Sequence, residues 1–174
     1  LTPEFEQAAS SLLYDSDEIN VIDIIRTMGR CERTCDWMLF MYWYSANTKE
    51  GRKTELECDM DKAIAHIAKL DDVIATLKGI SEDDTRYVDL ILSCRAIQIM
   101  NRVHLRLKNH PDYQDGNAIL ADVEDWLVDY RAAWLRESKP SQIDLITKFM
   151  RDICVMEERS AEAAGAAEQF ARNS

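Results

Sequence analysis

Residues 18–45, EINVIDIIRTMGRCERTCDWMLFMYWYS, are the stretch whose reading decides the fold. Within it Val21, Ile24, Met28, Cys31, Cys35, Met38 and Tyr42 recur at alternating spacings of three and four. Side chains at that spacing share one stripe of an α-helix. From Trp37 to Tyr44 the sequence is apolar all round, and such a helix is covered on most sides by neighbouring helices or by another domain. The stretch from Glu18 to about Ser45 therefore reads as the central helix of an all-α bundle.

The flanking sequence repeats the theme. Before the central helix, Thr2, Pro3 and Glu4 supply a capping hydroxyl, a first-turn proline and a favourable acid, which opens a short helix to about Leu13. Asp15 with Glu18 has the character of a capping box for the central helix. After a lapse around Asn47 to Arg52, a third helix is expected from about Lys53 to Lys78. Its stripe is Leu56, Met60, Ala63, Ile67, Leu70, Ile74 and Leu77, and Gly79 stands where a left-handed cap is wanted. Ser81 is expected to cap a fourth helix. Val88, Ile91, Leu92, Ile97, Ile99, Met100 and Val103 cover more than one stripe of that helix, which implies deep packing.

His110 to Gly116 reads as a loop. A fifth helix to about Glu137 should bury Leu120, Val123, Leu127, Tyr130 and Trp134, with Trp126 to one side. Lys139 and Pro140 break it, and Ser141 with Asp144 opens a sixth that buries Ile143, Ile146, Phe149, Met150 and Ile153. The alanine-rich tail from about residue 160 carries little apolar bulk to dock it, so it is expected to fray or to continue as helix. The expectation is one helical domain over residues 1–174: an antiparallel bundle of about six helices, four or five of them long, joined by short loops.

Composition narrows the function. The 174 residues carry a net charge of −11, which disfavours nucleic acid and anionic membrane surfaces because both need a basic face. With 47% apolar residues but no apolar run of about 18, no membrane span and no signal peptide is read. Only 5 glycines and 3 prolines leave little turn chemistry for a many-stranded sheet. Five cysteines, an odd number set within apolar patterns, fit reduced thiols and a cytoplasmic location. The chain opens at Leu1 rather than Met, so a processed protein or an excised fragment is expected.

Candidate chemistry is sparse. Cys31 and Cys35 lie one helical turn apart, the spacing of a redox pair or half a metal site, but both fall on the apolar stripe and read as core thiols. Cys58, Cys94 and Cys154 read the same way. His66, His104 and His110 lack the partners of a zinc or di-iron site and read as structural. Asp122, Asp125 and Asp129 share one helix face, and Glu55, Asp59 and Lys62 another. Facing carboxylates of this kind hold Mg²⁺ in all-helical pyrophosphatases, whose paired Glu-x-x-Glu helices do not occur here, so solvated faces explain them as well. No phosphate loop, no nucleophile elbow and no His-Glu-x-x-His is present. No catalytic residue, cofactor or metal ligand is assigned, and the pattern points to a packing or binding module.

One segment, Tyr130 to Ser141, resembles the C-terminal helical domain of bacterial family 20 glycoside hydrolases, the β-N-acetylhexosaminidases. There a helix ending aromatic–Trp–Leu–basic runs into a basic–Pro–small turn and a last helix. Trp134, Leu135, Arg136, Lys139, Pro140 and Ser141 match that pattern, while the usual turn glycine or second arginine is missing and Ser138 replaces a common Asn. The resemblance implies a parent enzyme that removes terminal N-acetylhexosamine by substrate-assisted catalysis on a barrel outside these residues. It implies that this chain packs on that barrel and that a homodimer is an available assembly. The interface candidates are Trp37, Trp43, Trp126, Tyr130, Trp134, Arg136 and Pro140, because aromatic and arginine side chains concentrate at interface hot spots. Two alternatives are a free-standing helical interaction or dimerisation module and an all-helical metal-dependent hydrolase.

Overall fold

The computed structural model describes residues 2–32, 59–81, 83–137 and 143–155. Every long element among them is helical: α1 (Pro3–Tyr14), α2 (Val21–Glu32), α3 (Met60–Ile80), α4 (Thr85–Leu107), α5 (Gly116–Glu137) and α6 (Ile143–Val155), with a 3₁₀ turn at Pro111–Tyr113. They pack on one another as an all-α bundle. Cross-helix pairs give the directions. Asp89 meets Arg136, Arg95 meets Asp125 and Asp129, and Arg102 meets Asp122, so α4 and α5 run antiparallel. Arg131 with Asp144 and Arg151 with Glu124 set α5 and α6 antiparallel in the same way.

The deepest helix among the described residues is α4, whose apolar residues lie on two opposed stripes. One stripe, Leu92, Ile99, Met100, Val103 and Leu107, joins Ile119, Val123, Trp126 and Leu127 of α5 and Met150, Ile153 and Cys154 of α6 in one core. The other, Tyr87, Cys94 and Ile97, joins Val21, Met28 and Cys31 of α2 and Leu70, Val73 and Leu77 of α3 in a second. A helix with two apolar stripes must be enclosed on both sides. Buried polar residues on the α3-facing side of α4 are hydrogen-bonded, as burial demands. Gln98 donates to Ile67 O at 3.0 Å and to Asp71 Oδ1 at 2.7 Å, and Asn101 donates to Ile97 O at 2.8 Å.

Among the described residues the central position belongs to α4; of residues 18–45 only those up to Glu32 are described. Of that stretch, Val21, Met28 and Cys31 are buried and Ile24 packs against them, so the first half of its stripe faces the core. Cys35, Trp37, Met38, Tyr42 and Trp43 lie outside the described residues. On α3 the stripe continues through Ala63, Ile67, Leu70 and Leu77, whereas Met60 is exposed.

Several helix boundaries differ from expectation, each for a reason of capping. Asp15 adopts a left-handed conformation (φ 51°) and closes α1, while the Asn20 side chain takes the Asp23 N–H at 2.9 Å and opens α2. Asp59 is extended and caps α3 through the Lys62 N–H at 3.1 Å, so no single helix runs from Lys53 to Lys78. Gly79 stays helical, and the chain leaves α3 at Ser81 in an extended conformation. Asp84, not Ser81, caps α4; the Ser81 hydroxyl instead accepts the Asp84 N–H at 3.1 Å. Asp115 accepts the N–H groups of Asn117 and Ala118 at 3.0 Å, which makes Gly116 the start of α5 rather than the end of the loop. Lys139, Pro140 and Ser141, and the tail beyond residue 155, lie outside the described residues.

Candidate functional site

The aromatic column at the end of α5 is built by helical spacing. Trp126, Tyr130 and Trp134 stand four residues apart, so their rings succeed one another along one face. Trp126 and Tyr130 stack at 4.5 Å between centroids, and Tyr130 meets Trp134 at 5.9 Å in a tilted pair. The column passes from the core outward. Trp126 is 4% exposed and its indole N–H donates to Leu92 O of α4 at 2.9 Å. Tyr130 and Trp134 are half-buried, and burial raises the Tyr130 phenol above its ordinary pKa. Arg136 is exposed and pairs with Asp89 at 2.8 Å.

Of the interface candidates, the structure thus groups Trp126, Tyr130, Trp134 and Arg136 on the last three turns of α5. Trp126 is not an exposed docking side chain: α5 is squeezed between α4 and α6, which widens its buried arc to include a residue expected to one side. Trp37, Trp43 and Pro140 fall outside the described residues.

The acidic faces resolve into ion pairs. The Arg95 guanidinium bridges Asp125 at 2.6 Å and Asp129 at 2.9 Å, and Arg102 pairs with Asp122. These carboxylates hold α5 to α4 with guanidinium groups in the place a metal would need. Asp59 pairs with Lys62 at 2.8 Å, which together with its capping role holds its carboxyl below the ordinary range; Glu55 lies outside the described residues. Among the described residues no group of three or more His, Cys, Asp or Glu is placed to hold a metal ion.

The thiols and histidines sit in the packing. Cys31, Cys94 and Cys154 are buried and unbridged, and burial pushes Cys94 up to about 12 and Cys154 up to about 11. At such values the nucleophilic thiolate is scarce. His104 is buried with Nδ1 2.7 Å from Met100 O, which requires the proton on Nδ1, and desolvation lowers its pKa to about 4. His66 is half-buried and lowered by burial and by Lys62. His110 stands edge-on to Tyr113 at 5.3 Å.

Two polar clusters were not anticipated. Glu6, 4% exposed on α1, pairs with Arg26 and accepts from Asn20 of the α1–α2 turn at 3.4 Å. One turn on, buried Ser10 donates to Glu6 O at 2.9 Å and accepts the Ile22 N–H at 3.2 Å. At the other end of α1, Arg86 donates to Leu13 O at 2.9 Å and Tyr87 to Tyr14 O at 2.6 Å, binding the α1 terminus to the start of α4. The only signal in the sequence was the four-residue spacing of Glu6 and Ser10, opposite Phe5 and Leu12. No protein-family model, no curated protein and no solved structure matches this chain.

Proposed function

We propose that this chain is a non-catalytic C-terminal helical domain of a family 20 β-N-acetylhexosaminidase, packing on a catalytic barrel that lies outside its 174 residues. The observation that carries the reading is the end of α5. Trp134, Leu135 and Arg136, which match the family's pattern, stand with Tyr130 at the end of α5, ahead of the Lys139–Ser141 segment and α6. Leu135 is 46% exposed there, and the half-buried Trp134 beside it supplies apolar area for a docking face. In this reading the barrel performs the chemistry, the helical domain braces it, and the reduced thiols belong to a reducing compartment.

The test is the product of the whole reading frame, assayed for release of p-nitrophenol from its N-acetyl-β-glucosaminide beside residues 1–174 alone. The reading expects an upstream barrel with an adjacent Asp–Glu pair, turnover by the whole product and none by the isolated chain. A reading frame without a barrel, or turnover by residues 1–174 alone, overturns it. The second reading, a helical interaction module with no enzyme attached, is favoured by the exposed apolar face of α1.

A further inference from the structure

The polarity of α1 is inverted. Its inward side carries Glu6 and Ser10, buried at 4% and 0% exposure, while its outward side carries Phe5 at 58% and Leu12 at 81%, with Leu13, 55% exposed, on the flank of the last turn. Burial favours the opposite rotation, with the apolar side chains in and the carboxylate out. Glu6 Oε1 is buried without a hydrogen bond among the described residues, so the arrangement carries a further cost.

What holds this rotation is a set of directional contacts. Arg26 and Asn20 engage Glu6 Oε2, Ser10 ties into the first turn of α2, and Gln7 donates to Ser16 O at 3.2 Å and Asp17 O at 2.8 Å. Arg86 and Tyr87 fix the far end. The apolar side of α1 is therefore presented outward on a hydrogen-bonded mount.

Charge selects the occupant. Residues 2–20 contain Glu4, Glu6, Asp15, Asp17 and Glu18 and no Lys, Arg or His. Glu4 is exposed beside Phe5, and Asp15, Asp17 and Glu18 are exposed just beyond Leu13. The two arginines that touch α1 are already paired, Arg26 with Glu6 and with Asp23 at 3.3 Å, and Arg86 with Asp15 at 2.9 Å and Asp84 at 2.6 Å. A second copy would bring two acidic rims together, and an anionic membrane would be repelled, whereas a helix with an apolar stripe flanked by lysine or arginine complements both features. We propose that Phe5 and Leu12 of α1, with Leu13 on their flank, form the docking face for a basic amphipathic helix of a partner protein. This reading stands apart from the carbohydrate assignment, which concerns the end of α5.

The probe is a synthetic amphipathic helix with leucine on one face and lysine on the other, titrated into residues 1–174 by calorimetry. A matched leucine–glutamate helix is the charge control. The lysine helix should bind one to one and more weakly as salt rises, and the glutamate helix should not bind. Leu12→Ser should weaken binding by about tenfold or more, the worth of one buried leucine. Leu145→Ser, at a leucine 68% exposed on α6, should leave it unchanged. The 81% exposure of Leu12 keeps its substitution compatible with the fold, which circular dichroism verifies. No binding, equal binding of the glutamate helix, or binding indifferent to Leu12→Ser overturns the proposal. So does a dimer in sedimentation that Leu12→Ser dissolves, since that outcome gives the face to a second copy.

Discussion

Trp126 shows how one side chain joins two helices. Its ring lies in the core shared by α4, α5 and α6, and its N–H is spent on Leu92 O. Trp126→Phe should keep most of the apolar contact and lose the hydrogen bond, costing about 1–2 kcal/mol in urea unfolding. Trp126→Ala should cost about 3–5 kcal/mol, because it also leaves a cavity.

His104 sets a pH dependence of definite sign. Its pKa is 6.5 when free and about 4 when folded, so from pH 6.5 downward the unfolded chain binds a proton that the folded chain refuses. Stability from this group is complete above the unfolded value and falls as pH drops, by about 2 kcal/mol on reaching pH ~5. His66, lowered by burial and Lys62, adds a slope of the same sign. In His104→Leu the His104 share of that slope should vanish, which unfolding free energies across this range will measure. The core placement of Cys31, Cys94, Cys154 and His104 was legible from their positions on apolar helices. The burial of Trp126 was not, because the width of a helix's buried arc depends on how many neighbours grip it.

At the scale of elements, the helices of the described residues were legible and their ends less so. Periodicity over twenty residues identifies α3, α4 and α5, but a boundary rests on which of several nearby polar residues wins the free N–H groups. Asp84 prevailed over Ser81, and Asn20 over Asp15. The acidic face of α5 was visible in the sequence, yet its meaning was not. Asp122, Asp125 and Asp129 could be read as solvated or as ligands until α4 placed Arg95 and Arg102 opposite them.

Gly116 is the element-scale position most open to test. A Cβ there would lie 2.8 Å from Cys154 O and 2.9 Å from Arg106 Nε, so the start of α5 approaches the end of α6 too closely for a side chain. Gly116→Ala should gain helix propensity but lose more to overpacking, a net destabilisation of about 1–3 kcal/mol in thermal or urea unfolding. The equivalent change at Gly79, where nothing lies within 4 Å of a Cβ, should stabilise by up to about 1 kcal/mol.

At the scale of the molecule, α4 joins two large cores, with a small third cluster of Ala63, Ile67 and Leu105 between α3 and α4. The α2–α3 side and the α5–α6 side are each filled by a different stripe of the same helix. No helix among the described residues is long and apolar enough to cross a membrane. The all-α architecture was legible from heptad spacing and scarce turn residues. The depth of α4 was legible from its apolar residues on more than one stripe, while Trp37 to Tyr44 lie outside the described residues. The inverted polarity of α1 was illegible for a different reason: a buried carboxylate has no sequence signature without its partner, Arg26.

Residue-resolved amide hydrogen exchange in the native state tests this account most directly. If α4 unites the two cores, the amides from Leu92 to Leu105 should be the slowest in the molecule and exchange only through global unfolding. Flanking helices should open at lower free energy, α1 among the first. Exchange of the α4 amides ahead of those of α2 or α6, or two sets that open independently, would contradict it.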